Sequence, residues 1–148
     1  MPDILRHASG TWAGNLQSGT GTASTESGAV RDAKVSFTTR FEEPMTGSNP
    51  EELIAAAHAS CFSMALSATL GRQGHTPTEI RTKATLTLNK GESGFKITEI
   101  HLETEGTVPG IDEATFKQAA ETAKETCPVS ALLKPGLEKL TVEAKLAG

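Results

Sequence analysis

Apolar and polar residues alternate along several short stretches of the chain, and this alternation predicts β-strands. The N-terminal region is rich in Gly, Ser and Thr, and it predicts two short strands, at about residues 8–14 and 20–26, followed by a turn near Gly28. A third strand is predicted to begin at Ala33, in the segment AKVSFTTRFE. One face of that strand would carry Val35, Phe37, Thr39 and Phe41.

The same period of two returns in the second half of the chain. Residues 82–90 (TKATLTLNK) alternate cleanly, and residues 94–108 are the predicted hairpin partner. The apolar phase of this partner shifts near Glu99, which indicates a β-bulge. A last strand is predicted in LEKLTVEAKLA, where the alternating apolar residues are Leu140, Val142, Ala144 and Leu146.

The longest helical signal covers residues 50–70 and has recognisable ends. Asn49 suits the N-cap, Pro50 suits the first helical position, and Glu52 stands where a capping-box carboxylate belongs. Gly71 suits the position just after the helix. At helical spacing, the predicted apolar stripe is Leu53, Ala57, Cys61, Met64 and Ala68.

Two shorter helices are predicted before the last strand. Asp112 is the expected N-cap of the first, and Pro128 lies near the start of the second, in CPVSALLKPG. The apolar face of the first helix is Phe116, Ala119, Ala120 and Ala123. The predicted order is β-β-β-α-β-β-α-α-β. Because the strands are clustered rather than alternating with single helices, the expected class is α+β, in a single domain of residues 1–148.

Size and charge narrow the possible functions. A chain of 148 residues can bury a substantial core, and a net charge of −4 with no run of Lys or Arg argues against a nucleic-acid partner. We expect no membrane-spanning helix, because no apolar stretch is close in length to the roughly 20 residues that such a helix needs. The N-terminus also lacks the pattern of a signal peptide. We therefore expect a cytoplasmic protein whose two cysteines are either inert core thiols or reactive ones.

Cys61 lies in the middle of the predicted long helix. Its position alone is as compatible with a buried structural thiol as with a reactive one. His58 is three residues earlier on the same helix face, and Glu51 is seven residues before His58. Glu51 and Cys61 are separated by about 15 Å along a straight helix. A carboxylate acting near the Cys61 thiolate would therefore need a bend, an intermediary such as an arginine, or another subunit.

Cys127 and Arg40 are the other candidates for chemistry. Cys127 directly precedes Pro128, and a thiolate at a helix N-terminus is stabilised by the partial positive charge there. The alternative is that Cys127 simply ends the apolar face of the preceding helix. For Arg40 the pattern alone favours a solvated side chain on an outer sheet face. An arginine close to Cys61 would instead hold the thiolate form and bind a polar oxygen of a substrate.

Other common active-site signals are weak in this sequence. The histidines His7, His58, His75 and His101 are dispersed, and no CxxC or HExxH spacing is present, so a metal site is not expected. The sequence contains neither a Gly-rich phosphate loop after a strand nor a GxSxG elbow. A hydrolase built on Cys61 and His58 is conceivable, since a Cys–His pair can supply a nucleophile and its base.

Four segments, in this order, resemble the osmotically inducible protein C (OsmC) family of the OsmC/Ohr superfamily. They are FTTRFE, GSNPEELIAAAHASCFSMAL, TVPGIDEATF and CPVSALL. The resemblance covers nearly the whole chain, from GTWAGNLQSGTGTASTESG to the last strand. It includes two cysteines in matching contexts and an NPEEL motif whose first Glu precedes the first cysteine by ten residues.

The resemblance implies a thiol-dependent peroxidase that reduces organic hydroperoxides, generally in preference to hydrogen peroxide, in oxidative or osmotic stress defence. By matching motif, Cys61 would be the peroxidatic cysteine and Cys127 the resolving one, joined in an intrachain disulfide. Glu51 would be the catalytic carboxylate, and Arg40 is the candidate for the catalytic arginine. An external dithiol, such as a lipoyl-bearing protein, would be the reductant, and no cofactor would be needed.

The resemblance also implies an intertwined homodimer with antiparallel sheets, a long central helix and two active sites at the interface. Packing of the long helix against its two-fold mate would bring Glu51 of one chain toward Cys61 of the other. Two alternatives stay open. One is a non-catalytic dimer that binds a small ligand under stress, with both cysteines in the core, and the other is the Cys61–His58 hydrolase.

Overall fold

Three short strands at the N-terminus form the first sheet. The computed structural model describes residues 2–43 and 46–147. Strands β1 (Ala8–Ala13), β2 (Thr20–Thr25) and β3 (Ala33–Ser36) pair antiparallel in that order. Gly28 lies between β2 and β3 with a φ of +78°, a conformation that favours glycine. The first two predicted strands and the turn after them are confirmed.

The third strand is shorter than predicted, because a helix begins where the strand was expected to continue. Strand β3 ends at Ser36, and α1 covers Phe37–Phe41. The Ser36 hydroxyl accepts a hydrogen bond from the Thr39 N–H at 3.1 Å, and Thr39 Oγ1 accepts one from the Ser36 N–H at 2.8 Å. This reciprocal capping box satisfies two backbone donors at the start of a helix. The predicted strand face beyond Ser36 was therefore wrong, and Arg40 lies on a helix.

The long helix begins where its capping signals predicted and ends slightly later. Helix α2 covers Pro50–Arg72. Asn49 Oδ1 accepts a hydrogen bond from the Glu52 N–H at 2.7 Å, as an N-cap side chain does. Gly71 lies inside the helix rather than after it. Gly74, with a φ of +86°, takes the left-handed conformation beyond the helix end.

The buried side of α2 is displaced by one position from the predicted apolar stripe. Its side chains with no solvent exposure are His58, Phe62, Leu66 and Leu70. In the predicted stripe, Cys61 is half-buried, and Met64 is 74% exposed in this chain. The prediction was wrong because it followed apolar residues alone, whereas the buried side includes the polar His58.

Helix α2 is also long and apolar enough, by length and composition, to cross a membrane. Its most apolar window of 18 residues has a mean hydropathy of 1.5. The expectation that no segment approaches this length was therefore wrong. A helix that packs in a protein core passes the same test, and Phe62, Leu66 and Leu70 are buried here without any membrane.

The second sheet is a long hairpin with one further strand added to it. Strands β4 (Glu79–Gly91) and β5 (Gly94–Thr107) pair antiparallel, and β6 (Lys139–Leu146) pairs parallel with β5. The β4–β5 register shifts between Thr87 and Leu88, which confirms the predicted bulge near Glu99. The expectation of antiparallel sheets therefore holds for the first sheet and the hairpin, while the second sheet as a whole is mixed.

The parallel strand is possible because two helices cross over from the end of β5 to the start of β6. Helix α3 (Glu113–Thr126) begins at Asp112, whose carboxylate accepts a hydrogen bond from the Thr115 N–H at 2.7 Å. Its four predicted apolar residues are all buried. Helix α4 (Pro128–Leu133) follows, and a single 3₁₀ turn (Lys134–Gly136) leads into β6. The α+β class is confirmed, with α1 added to the predicted order.

The chain divides into two compact units, residues 1–53 and 54–148. In the first unit the buried polar residues are Thr39, Asn49 and Glu51. The second unit has an apolar core drawn from α2, β5, α3, β6 and their connections. Its members are Phe62, Leu66, Leu70, Ile100, Leu102, Val108, Phe116, Ala119, Ala120, Ala123, Cys127 and Ala144.

Gly106 on β5 lies directly against the core side chain of Phe116. A Cβ added there would lie 2.5 Å from Phe116 Cε2 and 2.6 Å from Cζ, and Phe116 is fully buried. We expect Gly106→Ala to lower the free energy of unfolding by about 1–3 kcal/mol, as overpacked cores do. Urea denaturation measures this change. Gly136→Ala is the matched control, since a Cβ there has no atom within 4 Å, and an equal loss in both variants would contradict the prediction.

Candidate active site

The two cysteines of the chain meet in the second unit. Cys61 lies in the middle of α2, and Cys127 lies between α3 and α4. Their Sγ atoms are 3.0 Å apart, although 66 residues separate them in the sequence. Both are free thiols, with Cys127 fully buried and Cys61 half-buried. Sulfur atoms in a disulfide lie about 2.05 Å apart, so this contact is non-covalent and needs only a small movement to become a bond.

The surroundings of Cys61 disfavour its thiolate. Burial raises the pKa of the Cys61 thiol, and its hydrogen bond with Cys127 raises that pKa further. A hydrogen bond from the backbone of Val129 acts in the opposite direction but does not outweigh them. A reaction that needs the Cys61 thiolate therefore requires an additional positive group near the sulfur.

Cys127 stands at the N-terminus of α4, as its place before Pro128 predicted. Its Sγ accepts a hydrogen bond from the Ser130 N–H at 3.5 Å, so the sulfur itself is the N-cap group of this short helix. The alternative was that Cys127 ends the apolar face of α3. Cys127 is also part of the apolar core, so both descriptions apply to it.

His58 makes a buried hydrogen bond to Ser130 rather than to Cys61. The distance from His58 Nε2 to Ser130 Oγ is 2.7 Å, and both side chains are fully buried. Within residues 2–43 and 46–147, Nδ1 of the same ring has no hydrogen-bond partner. The sequence did not single out Ser130. The signal that could have found it is spacing, because Ser130 follows Cys127 by three residues just as His58 precedes Cys61 by three.

This arrangement weakens the hydrolase alternative. A Cys–His hydrolase needs a hydrogen bond between the base and the nucleophile. Among the hydrogen bonds found in residues 2–43 and 46–147, the one made by His58 goes to Ser130. Burial also lowers the pKa of His58, which keeps its ring neutral.

In the first unit, Arg40 and Glu51 form a close ion pair. Arg40 Nη2 lies 2.8 Å from Glu51 Oε1, and Arg40 Nε lies 3.1 Å and 3.3 Å from Oε1 and Oε2. The Glu51 side chain is only 10% exposed, whereas that of Arg40 is 38% exposed. Two nitrogen atoms on one carboxylate fix the orientation of the guanidinium group. Arg40 is thus not the solvated arginine that the sequence pattern alone favoured.

The four predicted site residues therefore form two pairs, one in each unit. Arg40 pairs with Glu51, and Cys61 pairs with Cys127. Glu51 thus has an arginine as its partner, and each cysteine has the other.

Three further side chains capable of binding a metal come together on the exposed face of the second sheet. Ligand atoms of His101, Glu103 and Glu143 lie within 4.8 Å of one another. The strand register explains this, because Glu103 is opposite Glu143 and His101 is opposite Thr141. His101 Nδ1 already has a hydrogen-bond partner, Thr141 Oγ1, at 2.6 Å. Exposed acidic groups of this kind are common on sheet surfaces and do not by themselves form a site.

The buried, neutral His58 predicts a pH dependence of stability. In the unfolded chain this group titrates near 6.5, and its pKa is lower in the folded protein. Between these two values the unfolded chain binds a proton that the folded chain does not, so the free energy of unfolding falls as the pH falls below about 6.5. Urea denaturation between about pH 8 and pH 5.5 measures this loss. His58→Gln should lose less stability over the same range, and an equal loss in both proteins would contradict the prediction.

Known proteins resemble this chain over most of its length. A family described as OsmC-like protein matches residues 42–141. Peroxiredoxin OsmC of Escherichia coli (strain K12) is 54% identical over 123 residues, which cover 83% of this chain and 85% of that protein. Organic hydroperoxide resistance protein OhrB of Bacillus subtilis (strain 168) is 30% identical over 108 residues, covering 72% and 76%.

Solved structures give the same result for the fold. The crystal structure of OhrB of Bacillus subtilis matches with a TM-score of 0.74 at 26% identity, covering 94% of this chain and 98% of that one. An OsmC-like protein from Mycoplasma pneumoniae matches with a TM-score of 0.75 at 17% identity, covering 99% and 100%, which supports the fold alone. On the extent of the family match and on the identity to its curated relatives, the chain belongs to the OsmC-like family.

Proposed function

We propose that this protein is a thiol-dependent peroxidase that reduces organic hydroperoxides to alcohols, using Cys61 and Cys127. The observation that carries the proposal is the 3.0 Å contact between two free thiols that lie 66 residues apart. Relatives named peroxiredoxin and organic hydroperoxide resistance protein support a peroxidase-type enzyme in peroxide defence. The contact between the two thiols and the similarity to these relatives together support the proposed function.

The reaction begins at Cys61. Its thiolate attacks the distal oxygen of ROOH, the O–O bond breaks, and the departing alkoxide takes up a proton to give ROH. Cys61 is left as a sulfenic acid. The Cys127 thiol then attacks the Cys61 sulfur, which forms the disulfide and releases water. An external dithiol reduces the disulfide by exchange, restores both thiols and is itself oxidised to a disulfide.

Arg40 and Glu51 supply the charge that this chemistry requires. Burial raises the pKa of the Cys61 thiol and therefore disfavours its thiolate. A guanidinium group near the sulfur would stabilise the thiolate and offset this effect. In this proposal Glu51 orients Arg40, and Arg40 stabilises the Cys61 thiolate and donates hydrogen bonds to the peroxide oxygens as negative charge develops. The proposal requires Arg40 to act on Cys61, either of the same chain or of a second copy in a homodimer.

The apolar surface beside Cys61 suits an organic substituent better than hydrogen peroxide. Met64 follows Cys61 by three residues on α2 and is 74% exposed, so it offers apolar surface on the same side of the helix. Phe62, the residue after Cys61, is fully buried and belongs to the core instead. The proposal therefore assigns the alkyl or aryl group of the substrate to contact with Met64.

The partners follow from the same chemistry. A disulfide that must be reopened in every cycle requires a dithiol reductant, and a dihydrolipoyl group on another protein is a suitable one. Free thiols persist in a reducing compartment, which accords with a cytoplasmic protein. Homodimerisation would supply the second copy on which Arg40 could act.

Consumption of cumene hydroperoxide in the presence of dithiothreitol tests the reaction class. We expect rapid loss with the native protein, slower loss of hydrogen peroxide, and loss at the reductant background with Cys61→Ser. Cys127→Ser should react once with the peroxide and then turn over poorly, because its sulfenic acid has no resolving thiol. Peroxide loss at the background rate with the native protein would contradict the proposed function.

The charge pair has a separate test in the pH dependence of Cys61. In Arg40→Gln we expect reaction with cumene hydroperoxide to slow about 100-fold, which is the effect of losing a group that stabilises developing charge. The midpoint for alkylation of Cys61 should move to higher pH, because the thiolate loses its cation. Arg6→Gln is the control, since Arg6 is exposed and its guanidinium donates a hydrogen bond to the neighbouring Leu5 carbonyl. Equal rates in both variants would remove Arg40 from the mechanism and leave Cys61 in place.

A further inference from the structure

Two contacts, not one, connect α2 to the start of α4. Cys61 Sγ lies 3.0 Å from Cys127 Sγ, and His58 Nε2 lies 2.7 Å from Ser130 Oγ. His58 precedes Cys61 by three residues, and Ser130 follows Cys127 by three. The two contacts therefore pair residues in opposite sequence order, as in antiparallel helices, and lie about one helical turn apart.

Ser130 is linked to Cys127 directly as well as to His58. Its backbone N–H donates to Cys127 Sγ at 3.5 Å, while its hydroxyl bonds to the His58 ring. Ser130 thus hydrogen-bonds to the Cys127 sulfur through its main chain and to His58 of α2 through its side chain. Helix α4 has only six residues, so its position depends on such contacts rather than on its own stability.

Burying the polar His58 and Ser130 side chains has a desolvation cost that an apolar pair would not have. Both side chains are fully buried, and His58 Nδ1 has no hydrogen-bond partner in the part of the chain that the structure describes. A proton on Nε2 makes the ring a donor to Ser130 and leaves only a lone pair, rather than a buried N–H, at Nδ1. An apolar pair of similar volume would avoid this desolvation cost, so packing alone does not account for these residues.

We propose that the hydrogen bond between His58 and Ser130 positions Cys127 for disulfide formation with the Cys61 sulfenic acid. This proposal rests on the proposed function. The sulfur atoms must approach by about 1 Å, from contact distance to a bond of about 2.05 Å, while the hydroxyl group leaves Cys61 as water. Such an intramolecular step depends on orientation, and the hydrogen bond restricts the turn that carries Cys127. His58 and Ser130 are positioning residues and take no part in proton transfer.

The proposal separates the two steps of the reaction. In sulfenic acid formation the Cys61 sulfur alone reacts with the peroxide, so the loss of the Ser130 hydroxyl should change this step little. Disulfide closure should depend on it. In Ser130→Ala we expect single-turnover consumption of cumene hydroperoxide to stay within about twofold of the native rate. Disulfide closure should slow about tenfold, in keeping with the loss of one hydrogen bond, and dimedone should trap correspondingly more sulfenic acid.

The control is a variant that loses a buried hydroxyl elsewhere on α2. Thr69 is buried, and its hydroxyl donates to the Ala65 carbonyl of the same helix. Thr69→Val should close its disulfide at the native rate even if it is less stable. Ser130→Thr, which keeps the hydroxyl group, should recover most of the native rate. Native closure in Ser130→Ala, or slow closure in Thr69→Val as well, would overturn the proposal.

A second pair of variants covers the case in which Ser130→Ala does not fold. The amide nitrogen of Gln reaches about as far along the side chain as His Nε2, whereas Asn is shorter by one methylene. We expect His58→Gln to close the disulfide at near the native rate and His58→Asn to close it slowly. Equal rates would overturn the proposal. Absence of peroxide consumption by the native protein would instead reject the proposed function, so the two failures are distinct.

Discussion

The 3.0 Å contact between the Cys61 and Cys127 sulfur atoms depends on the way the second unit is connected. Strand β6 lies parallel to β5, so the chain must return across the sheet, and α3 and α4 make that return. The face of α3 that enters the core consists of Phe116 and three alanines. Small residues allow close approach, and α3 ends with Cys127 beside α2. The position of the second thiol is therefore a consequence of sheet topology.

Burial has opposite effects on the two halves of the proposed chemistry. It holds the thiols in a fixed relation, which favours bond formation between them. It also raises the pKa of the Cys61 thiol and so reduces the thiolate that must react first. The proposal assigns the compensating charge to Arg40, whose guanidinium is oriented by Glu51 through two nitrogen atoms. Each unit contains one pre-formed pair, one of thiols and one of charges.

The sequence predicted those features whose causes are local. Asn49 and Asp112 are N-caps because their side chains accept hydrogen bonds from residues three positions later, and the bulge in the β4–β5 hairpin appears as a shift in alternation. Helix α1 was missed because its apolar and polar residues alternate as they do in a strand. The helix begins there because Ser36 and Thr39 form a reciprocal capping box, in which each side chain accepts a hydrogen bond from the other residue's backbone N–H. The alternation of side-chain types does not show these backbone hydrogen bonds.

For the site, short motifs and family resemblance predicted Cys61, Cys127, Glu51 and Arg40 as candidates, but not how they would be arranged. The ion pair and the thiol contact depend on residues 11 and 66 positions apart, a separation at which spacing carries no geometric information. Ser130 went unnoticed for a related reason. A serine in a short helix has many possible roles, and only the folded chain places His58 against it.

The long separation between the two cysteines also links redox state to folding. A bond between them would close a loop of about 66 residues, which in the chain-entropy account stabilises the folded state by about 4 kcal/mol. By reciprocity, folding stabilises the bond against reduction by the same amount. For a two-electron couple this lowers the reduction potential by about 90 mV relative to the same pair in an unfolded chain. A weakly reducing monothiol would not reduce such a disulfide, so the proposed reaction cycle would need a strongly reducing dithiol. Each reduction of the disulfide would also lower the stability of the folded protein.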